Sequence, residues 1–121
     1  MKSTYIVKQV AIPKELRDLP NQKGWDGAIA ESDHWRVKME YQHFGCKKGF
    51  NMDDLEFFTD TYEVEAESLD DVFRITNLWD DESAVKRFRV GHSTSVGDII
   101  TDTSTDKMYM VDGFGFSEVT A

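Results

Sequence analysis

The chain has 121 residues and a formal net charge of -9, with 40% hydrophobic and 12% aromatic residues. That length fits a single domain over residues 1–121, because two halves would each be too small to bury a stable core. The apolar content is enough to offset chain entropy, which excludes a disordered chain. Nucleic-acid binders usually present a clustered basic face, so no direct nucleic-acid binding is expected.

Secretion and membrane insertion are also disfavoured. No run approaches the roughly 20 apolar residues of a membrane-spanning helix, and the N-terminal stretch carries no cleavage pattern of a signal peptide. Cys46 is the only cysteine, so it has no partner for an internal disulfide and suits a reducing compartment. We therefore expect a cytoplasmic protein that does not associate with membranes.

In the first part of the chain, the hydrophobic pattern predicts strands joined by loops. Residues 5–12 are rich in β-branched and aromatic side chains and stop at Pro13, which predicts a strand followed by a short helical turn. Loop-forming residues predict an exposed connection over 20–33. Apolar and polar residues alternate over 35–41, which is typical of a strand with one buried face.

In the middle of the chain, the predicted elements are shorter. A partner strand is expected over 46–50, and Asn51 offers a cap for a brief helix containing Leu55 and Phe58. The alternation resumes over 62–67 and predicts a half-buried strand with an acidic solvent face. The acids of that face are Glu63, Glu65 and Glu67.

A helix is predicted directly after this strand. The hydroxyl of Ser68 can cap it, and Asp70 and Asp71 favour the positive end of the helix dipole. Apolar residues at helical spacing form one face over 69–76, and Asn77 is the expected stop.

The last third of the chain is predicted to be a β-meander. Residues 78–92 are interpreted as a surface excursion anchored by aromatic side chains. A hairpin is expected over 99–111, and residues 114–119 supply a final strand. The predicted fold class is α+β, with a mainly antiparallel sheet of five or six strands and one or two short helices on one face.

Three segments of the second half carry a resemblance to a known group of proteins. They are residues 64–77, 91–100 and 111–119. Together, residues 61–119 resemble small proteins carried by bacteriophages, archaeal viruses and plasmids, and related domains of conjugative elements. His92 stands where such proteins more commonly carry Arg. The resemblance implies a viral or mobile-element origin, and it implies no catalytic residue, because no activity is assigned to the group.

The run at 93–98 allows two interpretations. Hydroxyls and backbone amides around a glycine can form a small nest for an anion. Alternatively, the hydroxyls bond neighbouring amides and the carboxylate fixes a turn before a strand. The candidate residues are Ser93, Thr94, Ser95 and Asp98.

The soft metal ligands give a weak pattern. His43 and Cys46 have a spacing that can chelate a metal, whereas His34 and His92 stand apart. A structural zinc site usually needs four such ligands in paired motifs, so neither a metal nor another cofactor is expected. No carboxylate pair or nucleophile–base arrangement is marked out for catalysis.

The acidic segment over 60–82 holds nine acids against Arg74 alone. Alternate glutamates on one strand face lie about 7 Å apart, from a rise of about 3.4 Å per residue, which is comparable to successive phosphates of a nucleic acid. Such a row can mimic DNA and occupy the basic groove of a host protein. The alternative is an ordinary solvated strand face.

The aromatic residues near the C-terminal half are either core or an exposed anchor for a partner. The residues concerned are Trp79, Phe88, Phe114 and Phe116. Our expectation is a noncatalytic accessory protein of a virus or mobile element, which acts by binding a host or viral protein. The alternatives are an acidic DNA-mimic inhibitor of a host nucleic-acid-binding protein, and a small enzyme or metal-binding factor.

Overall fold

A computed structural model describes residues 2–46, 49–78, 82–89, 91–113 and 115–119. Within these residues, six strands form one antiparallel sheet in the order β3-β2-β1-β4-β5-β6. The strands are β1 (Ser3–Val10), β2 (Phe58–Ala66), β3 (Val85–Arg87), β4 (Ile99–Asp102), β5 (Lys107–Asp112) and β6 (Gly115–Val119). The α-helices are α1 (Leu19–Glu31), α2 (Asp33–Phe44) and α3 (Leu69–Leu78). Short 3-10 helices lie at Lys14–Leu16, Met52–Phe57 and Glu82–Ala84.

The predicted α+β class, the antiparallel sheet and the meander of β4, β5 and β6 are confirmed. The helices, however, lie on both faces of the sheet rather than on one. Successive side chains of a strand point to opposite faces. Ile100 of β4 packs in the cluster that contains α3, whereas its neighbour Ile99 packs in the cluster that contains α2.

Two hydrophobic clusters make up most of the core. The cluster under α3 contains Tyr5, Val7, Tyr62, Val64, Val72, Ile75, Ile100 and Val111 among its buried residues. The cluster under α2 contains Val37, Tyr41, Phe58, Ile99, Met110 and Val119. Each cluster joins one helix to strands from both halves of the chain, so the sheet is held from both sides by apolar burial.

The stretch 35–41, which alternation predicted as a strand, lies inside α2, so that prediction is wrong. The Ser32 hydroxyl accepts a hydrogen bond from the backbone amide three residues later, which caps the helix, and Gly45 ends it. Val37 and Tyr41 are both buried. They lie four residues apart, a spacing that fits one helix face as well as one strand face.

Two other predictions for the first half are also wrong. The connection expected over 20–33 is mostly helix α1, which has a kink at Gly24 (φ 72°). The strand expected over 46–50 is absent at the positions that the structure describes there, Cys46, Gly49 and Phe50. The Asn51 cap is confirmed, since its side chain accepts from Asp53 N.

Predictions for the second half agree better with the structure. The half-buried strand is β2, and α3 begins after Ser68 as expected. The segment 78–92 contains the short strand β3, which pairs with β2 and was not predicted. Lys86 and Arg87 of β3 are exposed. The sequence of β3 therefore lacks the apolar pattern by which a strand is predicted. None of the helices in the described ranges is long and apolar enough to cross a membrane.

Candidate functional site

The segment 91–98, which belongs to the second segment of the resemblance (91–100), packs against three elements just before β4. Its Thr94 side chain is buried and accepts a hydrogen bond from the Thr76 hydroxyl of α3 at 2.5 Å. The Asn77 amide of α3 donates to Thr94 O at 3.0 Å. The β2 residue Tyr62 donates its hydroxyl to His92 O at 3.0 Å. We call residues 91–98 the signature loop.

Asp98 is the centre of a buried polar cluster in this loop. The residue is only 5% exposed, and its Oδ2 atom accepts hydrogen bonds from Gln9 Nε2 and Ser95 N, both at 2.9 Å. Burial raises the pKa of Asp98 to about 6, and the nearby His92 opposes that rise. The His92 Nδ1 atom lies 4.0 Å from Asp98 Oδ2. The turn-fixing role proposed for Asp98 from the sequence fits these contacts.

Gln9 links the signature loop to β1, and sequence reasoning missed it. Its Nε2 atom donates to His92 O at 2.8 Å as well as to Asp98, and its Oε1 atom accepts from His92 N at 3.4 Å. A signal was present, because the buried positions of β1 are Tyr5, Val7 and Gln9. A polar residue at a buried strand position needs hydrogen-bond partners, and the loop supplies them.

Gly97 lets the loop pass close to α2. Its φ is +95°, and a Cβ atom there would lie 2.8 Å from both Gln42 N and the carbonyl carbon of Tyr41. Only glycine meets both the conformation and the close approach. The loop is thus held by helices from both faces of the sheet.

A cleft of about 220 Å³ opens beside the polar cluster. We call it the basic cleft, because its lining contains three cationic side chains and, among the described residues, no carboxylate. The cations are Arg17, Lys38 and Arg89, and the wall also includes Gln9, Gly91 and His92. They come from segments far apart in the chain, so their meeting is a product of the fold.

Within the described part of the chain, no carboxylate lies within ion-pair distance of the three cations, although Lys38 is close enough to Asp98 to act on its pKa. Lys38, which is half-buried, has neither a hydrogen bond nor an ion pair there. Arg17 and Arg89 each donate Nε to a backbone carbonyl oxygen, Ile12 O at 3.4 Å and Asp60 O at 3.1 Å. Carbonyl contacts do not neutralise a charge, so the cleft carries a local positive potential on an acidic protein.

The acidic candidates lie elsewhere, and lysines interrupt their row. Glu63 and Glu65 lie on β2 on the face opposite its buried side chains. Lys86 stands opposite Glu63 in the sheet register, and Lys8 Nζ lies 2.6 Å from Asp60 Oδ1. Lysine residues therefore stand beside the acids of this strand.

Three further acids of the segment, Glu67, Asp70 and Asp71, lie at the start of α3, whereas Glu82 lies in the short helix Glu82–Ala84 and Asp80 and Asp81 lie outside the described residues. The Ser68 hydroxyl accepts from Asp71 N at 3.2 Å, and Asp71 Oδ2 accepts from Glu67 N at 3.1 Å. The hydrogen bond from Glu67 N lowers the pKa of Asp71, and its bond from Arg74 adds to this. Asp71 is thus a capping residue, while Asp70 is exposed.

The aromatic candidates have different environments. Phe116 is partly buried against the cluster under α3, which agrees with the core interpretation. Phe88 is 45% exposed, and its ring lies under Lys86 Nζ at 5.8 Å. Trp79 and Phe114 lie outside the described residues. Of the loop candidates, Ser93 and Ser95 are half-buried.

The possible metal ligands are not gathered. Cys46 Sγ lies 3.5 Å from Met110 Sδ, and burial raises the pKa of its thiol. His43 is exposed, and its ring is 6.4 Å from the ring of Phe44. Among the described residues, no group of three or more His, Cys, Asp or Glu side chains is placed to hold a metal ion.

A second cavity, of about 350 Å³, lies between α2 and the Met52–Phe57 helix. Its polar side chains bond one another: Tyr41 donates its hydroxyl to Asp54 Oδ2 at 2.6 Å, and Arg36 donates to Asp54 Oδ1 at 3.2 Å. Burial raises the pKa of Tyr41 to about 12. These contacts tie α2 to the segment before β2, a structural role.

Comparisons with protein-family models, with curated proteins and with solved structures find no match for this chain. The functional argument therefore depends on the geometry described above.

Proposed function

We propose that this chain is a noncatalytic accessory protein of a virus or mobile element that binds a host or viral protein in the host cytoplasm. The binding surface is the end of the molecule at the signature loop. The viral origin comes from the resemblance of residues 61–119. The observation that carries the binding role is the set of exposed apolar and cationic side chains around this loop.

Two large apolar side chains are exposed next to the loop. Leu78 is 65% exposed and directly follows Asn77, which bonds to Thr94 of the loop. Phe88 is 45% exposed and directly precedes Arg89 of the basic cleft. Aromatic and arginine side chains contribute most strongly to protein interfaces, and an apolar anchor beside cations is a common composition for one.

The internal bonding of the loop supports a scaffold role rather than a catalytic one. Its buried hydroxyl and carboxylate, Thr94 and Asp98, bond to Thr76, Gln9 and Ser95 of the same chain. A catalytic nucleophile or base needs to reach a substrate. These side chains instead hold the loop in one shape, which presents its neighbours to a partner.

The acidic DNA-mimic alternative has less support. A mimic needs an uninterrupted row of negative charge to match a basic groove. Here Lys8 pairs with Asp60, and Lys86 faces Glu63, so the row presents mixed charge. We expect its contribution to partner choice to be small.

The experiment is affinity capture with matched variants. Tagged wild-type protein is compared with Leu78→Ser/Phe88→Ser and with Trp25→Ser, which removes an equally exposed apolar side chain (54%) on α1. We expect wild type and Trp25→Ser to retain the same partner and the double variant to lose it. At about 0.5 M salt the Debye length is about 4 Å, so interactions between exposed charges are screened. An interface centred on apolar side chains persists under these conditions, whereas a charge-driven interface dissociates. The proposal is contradicted if the double variant retains the partner. It is also contradicted if all three proteins lose the partner in high salt.

A further inference from the structure

The basic cleft concentrates positive charge on a chain in which acids outnumber bases by 23 to 14. Three basic side chains line it without a lining carboxylate among the described residues. Like charges around one cavity repel one another, and an anion in the cavity removes that repulsion.

The two arginine side chains of the cleft have N–H donors that can bind an oxyanion. Arg17 and Arg89 each donate Nε to a backbone carbonyl oxygen. Their terminal guanidinium nitrogens have no hydrogen-bond partner within the described residues. Terminal guanidinium nitrogens can bind phosphate oxygens in a bidentate manner, and a lysine ammonium such as that of Lys38 adds a point charge.

Asp98, a carboxylate close to the cleft, already has hydrogen bonds within the chain. Asp98 lines a narrow neighbouring pocket together with Lys38 and His92. It is 5% exposed and accepts two hydrogen bonds from the chain itself. It therefore offers little negative surface to a ligand in the cleft, while the cations remain open to one.

One part of the cleft wall is closely packed. At Gly91, a Cβ atom would lie 2.3 Å from Thr61 Cγ2 and 2.5 Å from Gln9 Oε1, so the chain passes close against β1 and β2 at this point. Close packing at this point limits the rearrangement that ligand binding requires of the wall.

We propose that the basic cleft binds a phosphate group, either as free inorganic phosphate or as the phosphate of a nucleoside monophosphate. Arg17 and Arg89 contact the phosphate oxygens through their terminal nitrogens, and Lys38 neutralises the remaining charge. A volume of about 220 Å³ accommodates a phosphate together with part of a substituent. The site needs no partner protein, so it goes beyond the proposed function and is tested separately.

The experiment is a titration of the isolated chain followed by amide NMR at pH 7. The probes are sodium phosphate, adenosine monophosphate and adenosine, each against sodium chloride of equal ionic strength. We expect saturable shifts of the Gln9, Arg89 and Gly91 amides with phosphate and with the monophosphate, and none with adenosine or chloride. Tighter binding of the monophosphate identifies an ester as the ligand class, and equal affinities identify free phosphate.

Variants distinguish a specific site from general charge. Lys38→Gln and Arg89→Gln are each expected to weaken phosphate binding about tenfold, the effect of one lost charge-assisted contact. Lys107→Gln, an exposed lysine 3.6 Å from Glu118 on the far strands, is the matched control and keeps wild-type affinity. If either cleft variant fails to fold by circular dichroism, Arg17→Gln, which alters an exposed side chain, replaces it. Shifts that do not saturate, or an equal loss in the control, overturn the proposal.

Discussion

The buried carboxylate of Asp98 makes protein stability depend on pH in an unusual direction. Its pKa is raised from 3.8 to about 6, mainly by burial. The folded chain therefore holds this proton more tightly than the unfolded chain does, and stability falls as pH rises through the range from about 4 to 6. Most carboxylates in proteins have the opposite effect, because partners of their charged form lower the pKa.

The size of the effect follows from the shift. About two pKa units, at 1.36 kcal/mol each, correspond to about 3 kcal/mol of unfolding free energy over the whole titration, of which about 2 kcal/mol is lost between about pH 4.5 and pH 7.5. That is a large part of the 5–15 kcal/mol that is typical of a whole domain. The lowered pKa values of Asp71 and Asp112 act below 3.8, so they stay outside this window.

The assay is urea unfolding followed by tryptophan fluorescence at half-unit steps from pH 4.5 to pH 7.5. The comparison is Asp98→Asn, whose side-chain oxygen can still accept from Gln9 and Ser95 but has no charge. We expect wild type to lose about 2 kcal/mol across the range, and Asp98→Asn to lose much less and to be the more stable form at pH 7.5. If both proteins show the same slope, or if wild type gains stability as pH rises, the burial argument is refuted.

Three further predictions concern single positions. Gly97→Ala should lower the unfolding free energy by about 3 kcal/mol in urea titrations, because Gly97 has a positive φ and lies close to α2. Gly113→Ala is the control and should change the unfolding free energy little, because a Cβ atom there meets nothing within 4 Å. Equal effects of the two substitutions would contradict the packing argument. Thr101 has a buried hydroxyl without a hydrogen-bond partner among the described residues. Thr101→Val should therefore raise the free energy of unfolding by about 1 kcal/mol, measured by thermal unfolding. Thr103→Val, which loses a 2.7 Å bond to a β1 carbonyl, should give no gain, and a gain there would point to a general effect of valine. Cys46 should react with a thiol reagent at pH 7 more slowly than free cysteine does, because burial raises its pKa; reaction at the rate of free cysteine would show that the thiol is accessible.

Local sequence patterns determined most of the second half of the fold. The alternation around Tyr62 and Val64, the Ser68 cap of α3 and the hairpin turn before Lys107 depend on residues close together in the chain. Their structure follows from side-chain periodicity and local hydrogen bonds, which a sequence shows directly.

The tertiary structure alone decided the helices α1 and α2 and the site, whereas β1 and the Asn51 cap in the first half follow from local patterns. Apolar residues at 35, 37 and 41 fit a strand, but 37 and 41 also fit one face of a helix, and burial against Ile99 and Met110 selects the helix. The basic cleft joins Arg17, Lys38 and Arg89, which the chain separates by 21 and 51 residues. Local patterns carry no information about such distant neighbours, because the contact exists only once the sheet and both helix layers have packed together.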